Sequence, residues 1–413
     1  MNRVKVLAVA YACEPNKGSE PGVGWNWVKQ IARFADVWVI TRGNNREVIE
    51  GVLKKTPEPH MHFICVDYPK LIRFWKKGQR GVHLYYFLWQ FLAFYYGYKL
   101  HKKVNFDLVH HITFVNDWFH SLFALFPIPF IWGPIGSNSL VPLEFHCNFK
   151  SYMSDLTKNM LITLARVCNP LYWITIGRAR KIILIKESLR DKFPFRFVNQ
   201  QKILVQCAVG IDQSIDQSLA ESKHAKKDFI IFYSAGNLIS IKGFHLAIMA
   251  FYKALNKVRN IKLIITGDGP LRKRLKEMTE RFSITQFVTF TGKLPRSDVL
   301  KYISEADVFL FPSFEAGGMV VLEAMINGLP VICLDVGGPG EMVCDNCGIK
   351  VQANGVSQVV DELADGIVNF ASDFTLRLTM GENARAHAKR MYSWSGKGSF
   401  LKEVYSDVLK YQQ

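Results

Sequence analysis

The sequence has no low-complexity segment and no internal repeat, so a repeat architecture and a compositionally disordered chain are excluded. We expect no signal peptide at its start. Residues 2–10 form an apolar run that is too short and too soon interrupted, and we expect a first buried strand there.

Paired cysteines are scarce. The eight cysteines are scattered, several inside apolar runs, as is typical of small hydrophobic residues in a reducing cytosol. Cys344 and Cys347 form one C-x-x-C, and no second pair lies nearby to complete the four ligands of a zinc site. We interpret the two as incidental thiols of a loop, and we expect no metal and no cofactor.

Acidic residues are under-represented in one half of the chain. The net charge is +17, with 52 Lys and Arg against 35 Asp and Glu. Residues 1–200 hold 27 basic and 13 acidic residues, whereas residues 201–413 hold 25 and 22. A basic N-terminal half indicates an anionic partner, either a membrane surface or a nucleic acid.

The length of 413 residues, of which 49% are hydrophobic, predicts two domains with substantial cores. Alternation of buried strands with helical segments predicts α/β architecture with parallel sheets. A polar stretch, Gln213–Asp228, separates the halves, so we place one domain over 1–208 and a second over 209–390.

Residues 307–341 carry the most informative pattern. Strand, loop, helix and strand follow one another, and Gly317 and Gly318 stand at the helix entrance. Glycines there allow close approach of a ligand, and the free N–H groups of the helix start suit a phosphate. Glu315 and Glu323 flank this point. Because carboxylates repel phosphates, they must contact hydroxyl groups of the same ligand, and a nucleotide-sugar has this composition.

Glu315 and Glu323, with seven residues between them, resemble the E-x7-E motif of retaining GT-B glycosyltransferases of family 4. The resemblance implies that Glu315 contacts the donor sugar and Glu323 the ribose. It also implies that the backbone of Gly317, Gly318, Met319 and Val320 meets the diphosphate. The alternative is an ordinary αβ crossover with solvated glutamates.

A second part of the resemblance lies at the start of the C-terminal half. Gly236, Asn237 and Lys242 match the diphosphate clamp of the family, except that Asn237 stands where an arginine is usual. Lys242 can still act as a cation against a leaving diphosphate, or it is a plain surface lysine. Lys293 and Leu294 match the turn that lies against the nucleobase in the family.

The first loop of the chain lacks the G-x-G-x-x-G fingerprint of dinucleotide-binding domains. Gly18, Ser19 and Glu20 resemble the first loop of the same family, which touches donor phosphate or acceptor. A plain βα turn with Ser19 as the N-cap explains them equally well.

Two histidines, His110 and His111, end a predicted strand. Members of the family often carry a histidine near the reacting sugar after the matching strand. Since side chains alternate along a strand, only one of the two can face the ligand, and the pattern does not decide which. Alternatively, both are structural.

An aromatic segment, Val82–Tyr98, has no charged residue and is flanked by lysines and arginines. Its 17 residues are at the short limit for a membrane span. We favour a buried helix whose basic approach, Lys70–Arg80, faces anionic lipid, over a helix lying at the membrane interface. Residues 159–181 are a second basic, aromatic candidate. Nothing marks an exposed base-stacking groove, so we expect no nucleic-acid role.

The resemblance covers nearly the whole chain. It implies a GT-B fold, two Rossmann-like domains facing across a cleft, with a final segment, 391–413, that crosses back to the first. The expected activity is metal-independent hexosyl transfer from a nucleotide-diphosphate sugar to a lipid-linked or surface-polysaccharide precursor. We expect a bacterial protein peripheral to the inner face of the plasma membrane. A nucleotide-sugar epimerase or hydrolase, or a non-catalytic partner subunit, is the alternative.

Overall fold

The computed structural model describes residues 3–76, 78, 81–114, 116–137, 141–147, 149–211 and 228–410. Two sequence-based expectations fall partly outside these residues. Positions 213–227 of the polar connection are not described, and neither are Lys77, Gln79 and Arg80 of the basic stretch.

The chain forms two compact units. The first comprises Met1–Ser137, Leu161–Gly210 and Trp394–Gln413, and the second comprises Asn138–Met160 and Ile211–Ser393. Each unit is built on one parallel sheet. The strands are β1 Val4–Ala10, β2 Ala35–Arg42, β3 Met61–Val66, β4 Leu108–Thr113, β5 Phe130–Ile135, β6 Ala179–Leu184, β7 Ile203–Val205, β8 Ile230–Ala235, β9 Ile261–Thr266, β10 Val288–Gly292, β11 Val308–Phe311, β12 Val331–Leu334 and β13 Gly348–Val351.

Helices connect most of the strands, since parallel pairing needs a long crossover connection that is usually a helix. In chain order they are α1 Ser19–Ala32, α2 Arg46–Lys55, α3 Val82–Val104, α4 Phe149–Cys168, α5 Pro170–Arg178, α6 Phe244–Leu255, α7 Arg272–Arg281, α8 Arg296–Glu305, α9 Met319–Ile326, α10 Gly337–Met342, α11 Val356–Ser372, α12 Phe374–Met391 and α13 Trp394–Lys410.

The sheet of the first unit has seven strands in the order β3-β2-β1-β4-β5-β6-β7. Every residue of its central strands β4 and β5 is buried, as is typical of a parallel sheet with helices on both faces. Aromatic side chains dominate the core, with Trp89, Trp132 and Tyr172 fully buried. In this unit α13 packs on α1, where the rings of Phe34 and Tyr405 meet edge to face.

The sheet of the second unit has six strands in the order β10-β9-β8-β11-β12-β13. Its strands β11 and β12 read VFLF and VICL, and every one of these residues is buried. The register places Phe309 beside Tyr233 and Leu310 beside Ile332. The prediction of α/β architecture with two doubly wound parallel sheets is confirmed.

One sequence-based boundary is corrected. Residues 1–208 were assigned to the first domain, but Asn138–Met160 groups with the second unit. The physical reason is hydrophobic burial: Val141 and Phe145 lie in the core of the second unit, where Phe145 contacts the ring of Phe314.

Helix α3 is longer than the uncharged segment that predicted it and ends at Asn105, which adopts a left-handed conformation. One face, including Tyr86 and Trp89, is buried in the core of the first unit. The other face exposes apolar side chains, among them Leu84 and Tyr95. The helix is therefore buried on one side only.

Candidate functional site

In the second unit, the order of the strands reverses between β8 and β11. The chain moves outward from β8 through β9 to β10 and then returns to place β11 beside β8. In parallel α/β sheets, ligands bind outside the carboxyl ends of the strands at such a switch point. The loops that follow β8 and β11 carry Lys242 and Glu315, and the predicted donor residues therefore meet at this edge.

Lys242 and Glu315 form an ion pair through Nζ and Oε2. The lysine ammonium also lies 5.0 Å from the centroid of the Phe311 ring, which favours a cation over its face. Both charged side chains are largely shielded from water. Removing one partner of such a shielded pair leaves the other charge poorly solvated, which is unfavourable.

Backbone contacts fix the two loops against each other. Gly243 has φ +65°, and a Cβ there would lie 1.9 Å from the carbonyl oxygen of Pro312. The backbone N–H of Phe314 donates to the carbonyl of Ile241 at 2.9 Å. Only glycine can follow Lys242, because the close approach and the positive φ both exclude a side chain.

The helix entrance is open on one side and packed on the other. A Cβ at Gly317 would meet nothing within 4 Å, whereas one at Gly318 would lie 2.9 Å from the sulfur of Met342. Helix α9 begins at Met319, and Val320 is half-buried in its first turn. The N–H groups of Val321 and Leu322 donate to the carbonyl of Gly318 at 2.9 and 3.2 Å, and the positive end of the helix dipole would favour an anion beside Gly317.

The glycine turn after β12 supports this entrance. The N–H of Gly338 donates to the carbonyl of Glu315 at 2.8 Å. A Cβ at Gly338 would lie 2.2 Å from the carbonyl oxygen of Gly317. The turn therefore holds the loop that carries Glu315 by direct backbone contact.

Glu323 is buried in α9 and pairs with Arg296 at 2.5 Å. Burial raises the pKa of Glu323, and the neighbouring Arg296 acts in the opposite direction. The guanidinium of Arg296 also lies 3.5 Å from the sulfur of Met319. Arg296 was missed by the sequence reasoning, because it opens α8 and stands 27 positions before its partner.

The remaining predicted donor residues lie at the same sheet edge. Gly236 follows β8, and a Cβ there would lie 3.4 Å from Cε of Lys242. Asn237 is exposed beside it and carries no charge. Exposed Lys293 and half-buried Leu294 follow β10, two strands away from β8.

In the first unit the predicted loop also lies at a switch point, between β1 and β4. Gly18 is the N-cap of α1, Ser19 is the first helical residue, and Glu20 stands in the first turn. The carboxylate of Glu20 accepts a hydrogen bond from the backbone N–H of Phe114, directly after β4. Burial raises the pKa of Glu20.

His110 and His111 are both buried in β4 and point to opposite faces of the sheet. His110 hydrogen-bonds the Tyr405 hydroxyl at 2.7 Å and the Gly133 carbonyl at 2.9 Å. His111 hydrogen-bonds the hydroxyls of Tyr86 at 2.8 Å and Ser121 at 2.7 Å.

Both histidines are therefore fully engaged by the protein. Burial lowers the pKa of each to about 3, so both rings are neutral at physiological pH. Their contacts fit the structural alternative, and neither is included in the mechanism proposed below.

Among the described residues, no single helix is both long and apolar enough to cross a bilayer; the pair formed by α4 and α5 meets that test together, with a bend of 67° between them.

Helix α4 exposes an apolar stripe. None of its residues is buried. Positions three or four apart share one face of a helix, and on this face lie six exposed apolar side chains: Phe149, Met153, Leu156, Met160, Leu164 and Val167. Lys150 and Lys158 belong to the same helix. Aligned exposed apolar residues of this extent indicate an interaction surface.

Residues 215–387 match the family of glycosyl transferases group 1. An uncharacterized glycosyltransferase of Methanocaldococcus jannaschii is 32% identical over 179 residues, which are 42% of this chain and 44% of that protein. The gpi3 subunit of phosphatidylinositol N-acetylglucosaminyltransferase from Schizosaccharomyces pombe is 25% identical over 244 residues, 59% of this chain and 52% of that one. The chain thus spans about half the length of these two relatives.

A solved structure shares the fold of the whole chain. Sucrose-phosphate synthase from Thermosynechococcus elongatus superposes with a TM-score of 0.67 at 17% identity, covering 99% of this chain and 100% of that one. The fold is GT-B, as the sequence predicted. The family match covers residues 215–387, and the solved structure shows the fold.

Proposed function

We propose that this protein transfers a hexosyl group from a nucleotide-diphosphate sugar to an acceptor hydroxyl, with retention of the anomeric configuration, as a member of glycosyltransferase family 4. The observation that carries the proposal is the Lys242–Glu315 ion pair at the β8/β11 switch point, beside the open backbone of Gly317. Seven residues separate Glu315 from Glu323, as in the E-x7-E motif of that family.

The chemical task is to stabilise the negative charge that develops on the departing diphosphate. Lys242 is a cation at this edge, and the N-terminus of α9 brings the positive end of a helix dipole to the same edge. When the donor binds, the diphosphate takes Lys242 from Glu315, and the released carboxylate is free to accept hydrogen bonds from sugar hydroxyls. In this mechanism no metal is needed at the diphosphate.

Arg296 supplies the charge that Asn237 lacks. It lies beside Met319 at the helix entrance, paired with Glu323. We assign it the role of a second cation near the diphosphate, while Glu323 accepts a hydrogen bond from the ribose. Arginine suits this position because its planar guanidinium can bind a carboxylate and a phosphate oxygen together.

A panel of nucleoside-diphosphate sugars tests the donor assignment. The matching donor should raise the melting temperature of the wild type, because a ligand that binds only the folded state stabilises it. Lys242→Ala should raise the donor concentration needed for the same shift about tenfold, which corresponds to the loss of one charge-assisted contact. Lys273→Ala, which removes a cation that is 91% exposed, should leave it unchanged.

Product analysis tests the reaction. Free nucleotide together with a glycosylated acceptor of unchanged anomeric configuration is the expected result, and Glu315→Gln should lower turnover about 100-fold. An isomerised donor would indicate an epimerase, and free sugar without acceptor product would indicate a hydrolase. Either result, or full turnover by Glu315→Gln, contradicts the proposal.

We further propose that the acceptor is lipid-linked and that the protein acts as a peripheral protein on an anionic membrane at the cytoplasmic face. The charge of residues 1–200 and the apolar stripe of α4 support this, because lipid surfaces attract cations and accept apolar side chains. The name of the fission-yeast relative includes phosphatidylinositol, a lipid, and this supports a lipid-linked acceptor here.

Vesicle sedimentation tests the membrane proposal. Binding to anionic phospholipid vesicles should exceed binding to neutral ones and should weaken with salt. Met160→Ser combined with Leu164→Ser should reduce binding about tenfold or more, because buried apolar area is lost. Phe374→Ser, at an exposed apolar residue of α12, is the matched control. Equal binding by both variants, or binding that salt does not change, contradicts the proposal.

A further inference from the structure

Two cysteines and a histidine converge in the second unit. The sulfurs of Cys344 and Cys347 and one ring nitrogen of His387 all lie within 4.8 Å of one another. The cysteines belong to the loop between α10 and β13, and the histidine belongs to α12. The C-x-x-C without a second pair nearby predicted two incidental thiols, and His387 follows Cys347 by 40 positions.

We propose that reduced Cys344, reduced Cys347 and His387 bind one zinc ion. Two thiolates and one imidazole form a ligand set that zinc favours over harder cations such as magnesium. Three protein ligands leave the fourth tetrahedral position to water. On binding, each thiol releases its proton to solvent, and the two thiolates neutralise the charge of the ion.

The structure pairs Cys344 with Cys347 as a disulfide. A disulfide involves only the two sulfurs, whereas a metal ion needs further ligands. The imidazole of His387 lies near both sulfurs and can be the third ligand. Zinc binding and the disulfide exclude each other, since only thiolates ligate the metal. Cys344 and His387 are half-buried, so an ion from solution can reach the cluster.

The surroundings supply the contacts that metal ligands need. His387 hydrogen-bonds the backbone of Met342. A histidine that binds a metal through one nitrogen typically donates its other N–H to such a backbone group. The side-chain oxygen Oδ1 of Asn346 lies 3.0 Å from the sulfur of Cys344 and 3.6 Å from that of Cys347. If the amide is flipped so that Oδ1 and Nδ2 exchange places, its NH₂ group can donate to a thiolate sulfur.

The position suggests a bracing role. Met342 ends α10, and its sulfur packs where a Cβ of Gly318 would lie. Zinc would join the loop after α10 to α12 and so hold Met342 against the helix entrance. This inference does not depend on the proposed transferase activity.

Metal analysis of the full-length protein, purified under reducing conditions without chelator, is the test. We expect close to one zinc ion per chain, as a single three-ligand site requires. Replacement by cobalt should give the visible absorption of a tetrahedral site together with a thiolate-to-metal charge-transfer band. Cys344→Ser and His387→Ala should lose the metal, and Cys168→Ser, at an exposed cysteine in α4, should keep it.

Thiol counting on the wild type keeps the test independent of variant folding. Zinc removal should expose two additional reactive thiols. A protein without zinc, cobalt absorption that lacks the thiolate band, metal retained by His387→Ala, or a disulfide that persists under glutathione would each overturn the proposal.

Discussion

Arg296 adds a positive charge to the candidate donor site. It neutralises buried Glu323 and touches Met319 at the helix entrance. Removing it leaves a buried carboxylate without its cation next to the proposed diphosphate position, so donor binding loses an attraction and gains a repulsion. We therefore expect Arg296→Ala to raise the KM for the donor about tenfold or more, in line with one charge-assisted contact.

Steady-state kinetics with the matched donor would measure this effect. Lys273→Ala should keep the wild-type KM, because its exposed ion pair with Glu277 lies at 3.8 Å on α7. If Arg296→Ala and Lys273→Ala have the same KM, Arg296 has no part in donor binding.

For single residues, the sequence predicted those that belong to a local motif and missed those whose contacts form only when distant parts of the chain fold together. Glu315 was identified from local spacing, and Lys242 from its place in a βα loop before a glycine; the structure brings the two together. His110 and His111 looked equally informative. Their engagement with Tyr405 and Tyr86 depends on helices far away in the chain, which no local pattern encodes.

The loop between β8 and α6 shows how one element positions the chemistry. Gly243 has a positive φ, and a Cβ there would clash with the Pro312 carbonyl. Gly243→Ala should therefore lower the free energy of unfolding, both through backbone strain and through displacement of the neighbouring loop. A left-handed alanine alone costs about 1–2 kcal/mol, and the displaced contact adds to it. We expect destabilisation of about 3 kcal/mol together with loss of donor binding, because Lys242 immediately precedes the glycine.

Urea unfolding of the two variants Gly243→Ala and Gly355→Ala would check this prediction. A Cβ at Gly355 would meet nothing within 4 Å, so that control should change stability by less than about 1 kcal/mol. Equal stability of the two variants would mean that the tight contact at Gly243 does not constrain the loop.

Elements were predicted well where the apolar pattern was local. Helix α6 begins directly after Gly243 and strand β12 directly after Pro330, so glycine and proline mark where these elements start. Helix α3 continued beyond Tyr98, because lysines and a histidine prolong a helix that no breaker stops before Asn105. The grouping of residues 138–160 with the second unit was missed, because Val141 and Phe145 find their partners only in three dimensions.

For the molecule as a whole, buried neutral histidines make stability depend on pH. Burial lowers the pKa of four histidines, to about 3 or about 4: His110, His111, His120 and His245. Three belong to the first unit and one to the second. The unfolded chain takes up these protons near pH 6.5 and the folded chain does not, so this stabilisation is complete above that pH and is lost as the pH falls towards 4.

Between pH 7.5 and 5.5 we therefore expect the first unit to lose stability faster than the second, by about 1.4 kcal/mol per histidine for each pH unit below 6.5. The raised pKa values of Glu20 and Asp117 act in the opposite sense, since folded carboxyl groups then hold protons more strongly. Hydrogen exchange resolved by unit would measure the difference. His111→Asn should flatten the slope of the first unit alone. Equal slopes in the two units, or a slope that His111→Asn leaves unchanged, would show that these rings do not control the acid sensitivity of the fold.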